Sequence, residues 1–229
     1  MRKFTTVVLA LILASISFAQ EKEIRKVSDF SGISVSSGID LYVTQSSDSK
    51  VEVVCKKDDL HRLKTEVEGN TLKVYMKGNN SWSWNRKTAP KVYVSCQHVK
   101  NLVSSGGSDI YGQNVIVEPY MKISSSGGSD IYIEVKAEEL KLTTSGGSDI
   151  KIKGTTDKLL ASSSGGSDIN ARELKAQVVK VTTSGGSDAI VWAGKEIVAN
   201  ASGGSDIVYY GNPEHKNLNE SGAGDISQR

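Results

Sequence analysis

The chain has 229 residues, 28 Lys and Arg against 26 Asp and Glu, and an apolar content of 38%. That supports one sizeable core or two small ones, and it excludes generic disorder despite the 22 glycines. Residues 1–19 hold two of the bases and no acid, so the remainder balances 26 bases against 26 acids, which excludes a nucleic-acid binder held by a broad positive field.

Arg2 and Lys3 precede an apolar run from Val7 to Ile16, and Ser17-Phe18-Ala19 supplies the small-x-small pattern of a signal peptidase site. Residues 1–19 are therefore expected to be a secretory signal peptide, leaving residues 20–229 as a single domain. The run is too short and too rich in Ser and Ala for a retained span, and no second run of that length follows. The expected destination is the periplasm, the outer surface or the medium. In an oxidising compartment Cys55 and Cys96 become disulfide candidates. Each alternates with valines (Val51 and Val53; Val92 and Val94), so both thiols face the core. A bridge and two buried free thiols both fit that pattern.

Residues 28–101 read as irregular opening coils with a capping element. Lys50 to Lys56 and Thr71 to Lys77 alternate as strands, Gly69-Asn70 marks a hairpin, and Asp58 to Leu63 fits one helical turn. Trp82 and Trp84, spaced by two and flanked by Asn79, Asn80, Asn85 and Arg86, are the candidate ligand-binding residues. They form either an exposed aromatic platform or a plug over the coil edge.

From residue 102 a repeat takes over. Ser-Gly-Gly-Ser-Asp occurs six times, ending at Asp109, Asp130, Asp149, Asp168, Asp188 and Asp206, and a degenerate copy ends at Asp225. The intervals are 21, 19, 19, 20, 18 and 19 residues. One position after the Asp stand Ile110, Ile131, Ile150, Ile169, Ala189, Ile207 and Ile226; seven before it stand Leu102, Ile123, Leu142, Ala161, Val181, Ala199 and Leu218. Apolar columns on alternating positions mean strands with one buried face, and a fixed period means stacked coils. The fold expected is all-β: a right-handed parallel β-helix with coils of about 19 residues.

Phe30-x-x-Ile33, Gly38-Ile39-Asp40, the Glu68-Gly69-Asn70-Thr71-Leu72 turn and the iterated Ser-Gly-Gly-Ser-Asp-Ile resemble the head GIN domain family. That family comprises exported bacterial proteins, common in Bacteroidetes, and is a domain of unknown function labelled an auto-transporter adhesin. The resemblance runs from about Asp29 to Ile226, with the Gly-Ile-Asn of the family's name standing here as Gly38-Ile39-Asp40. It implies a parallel β-helix at the cell envelope and transfers no catalytic residue.

The Asp column reads as a structural turn ladder, since Gly-Gly supplies positive φ and Ser and Asp side chains bond nearby N–H groups. Calcium binding is the competing reading, but the second Gly pair of calcium-binding repeats is missing. Ser and Thr clusters before each turn read as solvated strand faces. His61, His98 and His215 lack metal-ligand spacing, and no nucleophile elbow, phosphate loop or dinucleotide fingerprint occurs. No catalytic residue, metal or cofactor is assigned. The function expected is a noncatalytic envelope protein that binds or scaffolds, with a surface glycan and an envelope protein as the two open partner classes. A polysaccharide lyase or glycosidase on the same fold is the alternative, and a unique pair of carboxylates in one cleft would favour it.

Overall fold

The computed structural model describes residues 20–78 and 89–229. Strands dominate, and the one helical turn among the described residues is the 3-10 segment Lys57–Asp59, which overlaps the start of the Asp58 to Leu63 stretch expected to turn. The regular part is a parallel β-solenoid in which β9 (Asp109–Ser126), β10 (Asp130–Ser145), β11 (Asp149–Ser164), β12 (Asp168–Gly185) and β13 (Ala189–Gly203) stack in that order, one strand per coil. The last coil is split into β14 (Asp206–Tyr210) and β15 (His215–Gly222), and β16 (Asp225–Gln228) pairs onto β14. Asp130 pairs with Asp149 and Asp149 with Asp168, so the repeat unit of the sequence is one coil.

Alternation packs each coil. In β10, Ile131, Ile133 and Val135 point inward, the phase flips at Glu138-Glu139, and Leu140, Leu142 and Thr144 point inward again. The flip is the corner where the coil turns back, so strand order continues while the buried parity changes. Ile110, Ile131, Ile150, Ile169 and Ile207 form one ladder, each 0–1% exposed, and Leu102, Ile123, Leu142 and Val181 belong to its counterpart on the other leg. Each such aliphatic side chain contributes about 1.5–3 kcal/mol by leaving water.

The interior is not wholly aliphatic. In each Ser/Thr cluster the middle residue is buried: Ser104, Ser125, Thr144, Ser163 and Thr183. The Ser before each Asp is buried as well, at Ser108, Ser129, Ser148, Ser167, Ser187 and Ser205. These hydroxyls occupy the narrow end behind the Gly-Gly turn, where a larger side chain has no room. They bond to one another and to turn carbonyls, as in Thr144 to Ser163 at 2.7 Å and Ser148 Oγ to the Ser145 carbonyl at 2.9 Å. The column through Ser124, Thr143, Ser162 and Thr182 faces outward, as expected of a solvated strand face.

Coil order departs from chain order at the start. β2 (Gly32–Val35) and β3 (Asp40–Gln45) form a coil that stacks on β8 (Asn101–Ser105) and β9. β6 (Thr71–Met76) and β7 (Lys91–Cys96) come between them in sequence but stack on the outer side of β2 and β3. β5 (Leu63–Glu68) then pairs antiparallel with β6 through the Gly69-Asn70 hairpin, and β4 (Lys50–Lys56) pairs antiparallel with β7. β1 (Gln20–Arg25) adds one more antiparallel strand on β4. Antiparallel strands end the repeat and leave no parallel edge for further stacking.

Candidate functional site

After each turn the residues alternate, so the Asp and the residues two and four positions later face outward on one flat sheet. The second column begins with aromatics. Tyr93, Tyr42, Tyr111 and Tyr132 are register partners on β7, β3, β9 and β10. Their rings stack with centroids 4.8, 5.2 and 5.5 Å apart and planes within 21° of parallel. The spacing follows from the strands, which lie about 4.8 Å apart. Stacking covers the ring faces inside the column, and the next coil supplies Lys151 in this position, so the stack ends at Tyr132.

The Asp column runs alongside. The Tyr111 hydroxyl donates to Asp109 Oδ2 at 3.1 Å, and the Tyr132 hydroxyl approaches Asp130 Oδ2 at 3.4 Å. Partial burial, and then the neighbouring carboxylates, raise the pKa of Tyr111 and Tyr132 above the ordinary tyrosine value. Burial raises Tyr42 too, against the opposing pull of Lys91. The other carboxylate oxygen of each Asp from Asp109 to Asp188 accepts the backbone N–H of the Asp one coil later, at 3.0–3.3 Å.

Beside Tyr132 the face is hollow. Gly112, Gln113 and Asn114 of β9 lie opposite the single residue Ile133 of β10, and Ala171 and Arg172 of β12 lie opposite the single residue Ile152 of β11. The extra residues bulge, while β10 and β11 between them stay flat. The two bulges therefore wall a groove of about 370 Å³. Gln113 and Asn114 stand on one wall and Asn170 and Glu173 on the other; Tyr132, Glu134, Lys151 and Lys153 rise from the floor, while Ile133 and Ile152 beneath it face the core. Gly112 has to be small, because a Cβ there would lie 2.9 Å from Ile133 Cγ1. Lys153 Nζ sits 2.9 Å from Glu134, and that hydrogen bond raises the lysine pKa.

On the other side of the β12 bulge is a second hollow of about 490 Å³, lined by Arg172, Glu173, Lys175, Trp192, Tyr210 and Gly211. The Arg172 guanidinium lies 4.5 Å from the Tyr210 ring centre, and Lys175 Nζ lies 4.5 Å from that of Trp192. Gly211 permits the close fit, since a Cβ would meet the Ala193 carbonyl oxygen at 2.1 Å.

The residues singled out from sequence have different fates. Trp82 and Trp84 lie outside the described residues. Cys55 and Cys96 are free and buried. Val54 pairs with Lys91, so Cys55 falls level with Pro90, six residues from Cys96 along β7 and roughly 20 Å away. An intrachain bridge is out of reach at that distance, and the disulfide reading is corrected. Burial pushes both thiols up to about 11. Among the described residues no cluster of three or more His, Cys, Asp or Glu is disposed to hold a metal. The tyrosine stack and the groove were not found from sequence. Tyr42 and Tyr93 belong to coils whose order is not legible there. The groove did leave a trace: the 21- and 20-residue intervals, against 19 for the two between them, are the two bulges.

Residues 29–213 match the model of a family described as "Putative auto-transporter adhesin, head GIN domain". Among solved structures, a "putative adhesin" from Bacteroides fragilis superposes with a TM-score of 0.86 at 24% identity, over 93% of this chain and 98% of that one. A "Putative lipid binding protein" from Parabacteroides distasonis has a TM-score of 0.71 at 21% identity, covering 92% and 97% of the two chains. A "putative adhesin" from Parabacteroides merdae has a TM-score of 0.74 at 17% identity, covering 92% and 96%. At these identities the likeness is one of fold. No curated protein matches the chain in sequence.

Proposed function

We propose, from the premise that the chain belongs to the head GIN domain family, that it is a noncatalytic, exported binding module of the cell envelope, adhesin-like in its action. The observation that carries this reading is the groove over β10 and β11. It is walled by the amide side chains of Gln113, Asn114 and Asn170, floored by Glu134, Lys151 and Lys153, and bordered by the free end of a tyrosine stack. Such a mixture of a ring with paired donors and acceptors suits sugar rings better than lipid tails, which need a largely apolar cavity. The name of the Parabacteroides distasonis protein points toward lipid, but this groove is open and polar.

Two carboxylates, Glu134 and Glu173, share the groove, and they are what a glycosidase reading would use. Lys153 stands between them in coil register and is bonded to Glu134 at 2.9 Å, a salt bridge that occupies one of the two carboxylates. Binding without turnover is the better reading. No helix among the described residues is long and apolar enough to cross a membrane, and export is supported by the leader-like residues 1–19.

A glycan array with the purified exported protein tests the proposal, run beside Tyr132→Ala and beside Trp82→Ala with Trp84→Ala. Binding that Tyr132→Ala abolishes supports the groove. Binding lost only in the tryptophan pair moves the site to the connection between β6 and β7. No bound glycan, or cleavage of a bound one, refutes the reading.

A further inference from the structure

We infer that the groove and the hollow beside it form one elongated site for an acidic glycan, a uronate-bearing chain lying parallel to the solenoid axis. This rests on the reading of the face as a carbohydrate-binding surface and adds the charge and direction of the ligand.

The two depressions adjoin, with Glu173 of the β12 bulge lining both. Their residues follow the stacking direction: Glu134 on β10, Lys153 on β11, Arg172 and Glu173 on β12, Trp192 on β13 and Tyr210 on β14. Four steps of about 4.8 Å make the track roughly 19 Å long. An extended pyranose chain advances by a similar distance per sugar, so successive sugars meet successive coils. A polypeptide strand has no equivalent docking mode here, because the backbone N–H and C=O groups of β10 to β13 are used in stacking the coils. Recognition has to come from side chains.

Charge selects the class of glycan. Lys153 and Glu134 neutralise each other. Lys151, Arg172 and Lys175 make no ion pair with any described residue, and Glu173 is the one acid of the two depressions left against them. Tyr210 and Trp192 do not offer open faces to sugars, since Arg172 and Lys175 lie over them. The rings instead hold the two cations in place, which lowers the ordering cost of presenting them to a carboxylate. The Asp column opposes an anion, but it stands four residues from Arg172, roughly 13 Å along the strand and beyond the Debye length of about 8 Å. Asp149, two residues from Lys151, lies within that length, so the attraction for an anion rests on Arg172 and Lys175.

The probes are an oligogalacturonate of about six sugars, long enough for the track, its methyl ester, and an oligoaspartate of equal charge, titrated into the purified protein. The acid should bind about tenfold tighter than the ester, and the preference should fall as salt rises. Arg172→Gln with Lys175→Gln should bring the acid down to the ester, leaving the ester and the melting temperature unchanged. Tyr132→Ala should weaken acid and ester alike. Equal binding of acid and ester overturns this inference and leaves the carbohydrate reading standing. Oligoaspartate binding as tightly as the uronate overturns it in favour of charge alone. If neither sugar binds, both readings fall.

Discussion

The backbone N–H of Asp130 donates to Oδ1 of Asp109 at 3.0 Å, one coil earlier. The same bond recurs at Asp149, Asp168, Asp188 and Asp206. Like charges stacked at about 4.8 Å repel by about 1 kcal/mol in water. A hydrogen bond to a charged acceptor contributes about 1.5–3 kcal/mol, enough to offset that repulsion without calling on a cation.

Replacing one rung tests that balance. Asp149→Ala leaves the Asp168 N–H without its side-chain acceptor and should cost about 1–2 kcal/mol, read from the denaturant midpoint. Asp149→Asn retains an acceptor oxygen and should stay within about 0.5 kcal/mol of the parent. Melting curves in chelator and in excess calcium should coincide; a calcium-dependent rise would make the carboxylates metal ligands.

Two glycines separate backbone strain from collision. Gly147 has φ 71°, and an added Cβ meets nothing within 4 Å, so Gly147→Ala should cost only the left-handed penalty of about 1–2 kcal/mol. Gly154 has φ 120°, and its Cβ would lie 1.9 Å from the Val135 carbonyl oxygen. Gly154→Ala has to displace the neighbouring coil and should cost at least about 3 kcal/mol. Equal losses in urea unfolding would mean that the coils do not approach as closely as described.

The buried serines differ in satisfaction, and the difference sets a sign. Ser129 Oγ is buried without a partner, whereas Ser148 Oγ donates to the Ser145 carbonyl at 2.9 Å. Ser129→Ala should be neutral or stabilising by up to about 1 kcal/mol, and Ser148→Ala should destabilise by about 1 kcal/mol. Matched chemical denaturation of the pair distinguishes them, and the reverse order would contradict the assigned bonds.

The tyrosine stack predicts alkaline sensitivity. Tyr42, Tyr111 and Tyr132 have pKa values raised above 10.0, through burial first and carboxylates second. The folded state thus holds these protons more tightly than the unfolded chain does. Its advantage is fully present below pH 10.0 and is lost as pH rises through the folded values. Tyrosinate absorbance and circular dichroism, followed together, should show a late-ionising class whose titration accompanies unfolding. Asp109→Asn should bring Tyr111 down, since Asp109 is both its charged neighbour and its hydrogen-bond acceptor. Ionisation of every tyrosine near pH 10.0 with the fold intact would show that the stack is open to solvent.

Much of the coil is legible in the residues that build it. The alternation of Ile131, Ile133, Leu140 and Leu142 names the core, because a strand has period 2 whatever it pairs with. The Gly-Gly pairs mark the turn because a left-handed φ excludes most side chains, and Gly146 and Gly147 do adopt it, at 68° and 71°. The phase flip at Glu138-Glu139 was harder to see, since a corner leaves no special residue type behind. The inward place of Ser125 and Thr144 follows from parity alone, because a small hydroxyl on a strand looks solvated until its neighbours close over it.

Local pattern and its repetition are thus sufficient for the strand-and-turn unit, its period of about 19 residues and the choice of solenoid, since each depends on residues near one another in the chain. The meeting of Tyr93 and Tyr42 with Tyr111 depends instead on β6 and β7 stacking outside β2 and β3, although they follow them in sequence. Strands with the same alternation are interchangeable partners, and only the packed register selects among them. The same is true of the groove: the two longer intervals are visible in the chain, but two bulges become walls only when flat coils lie between them. Pairing across the solenoid, rather than any single segment, places Tyr132, Lys151 and Arg172 on one face.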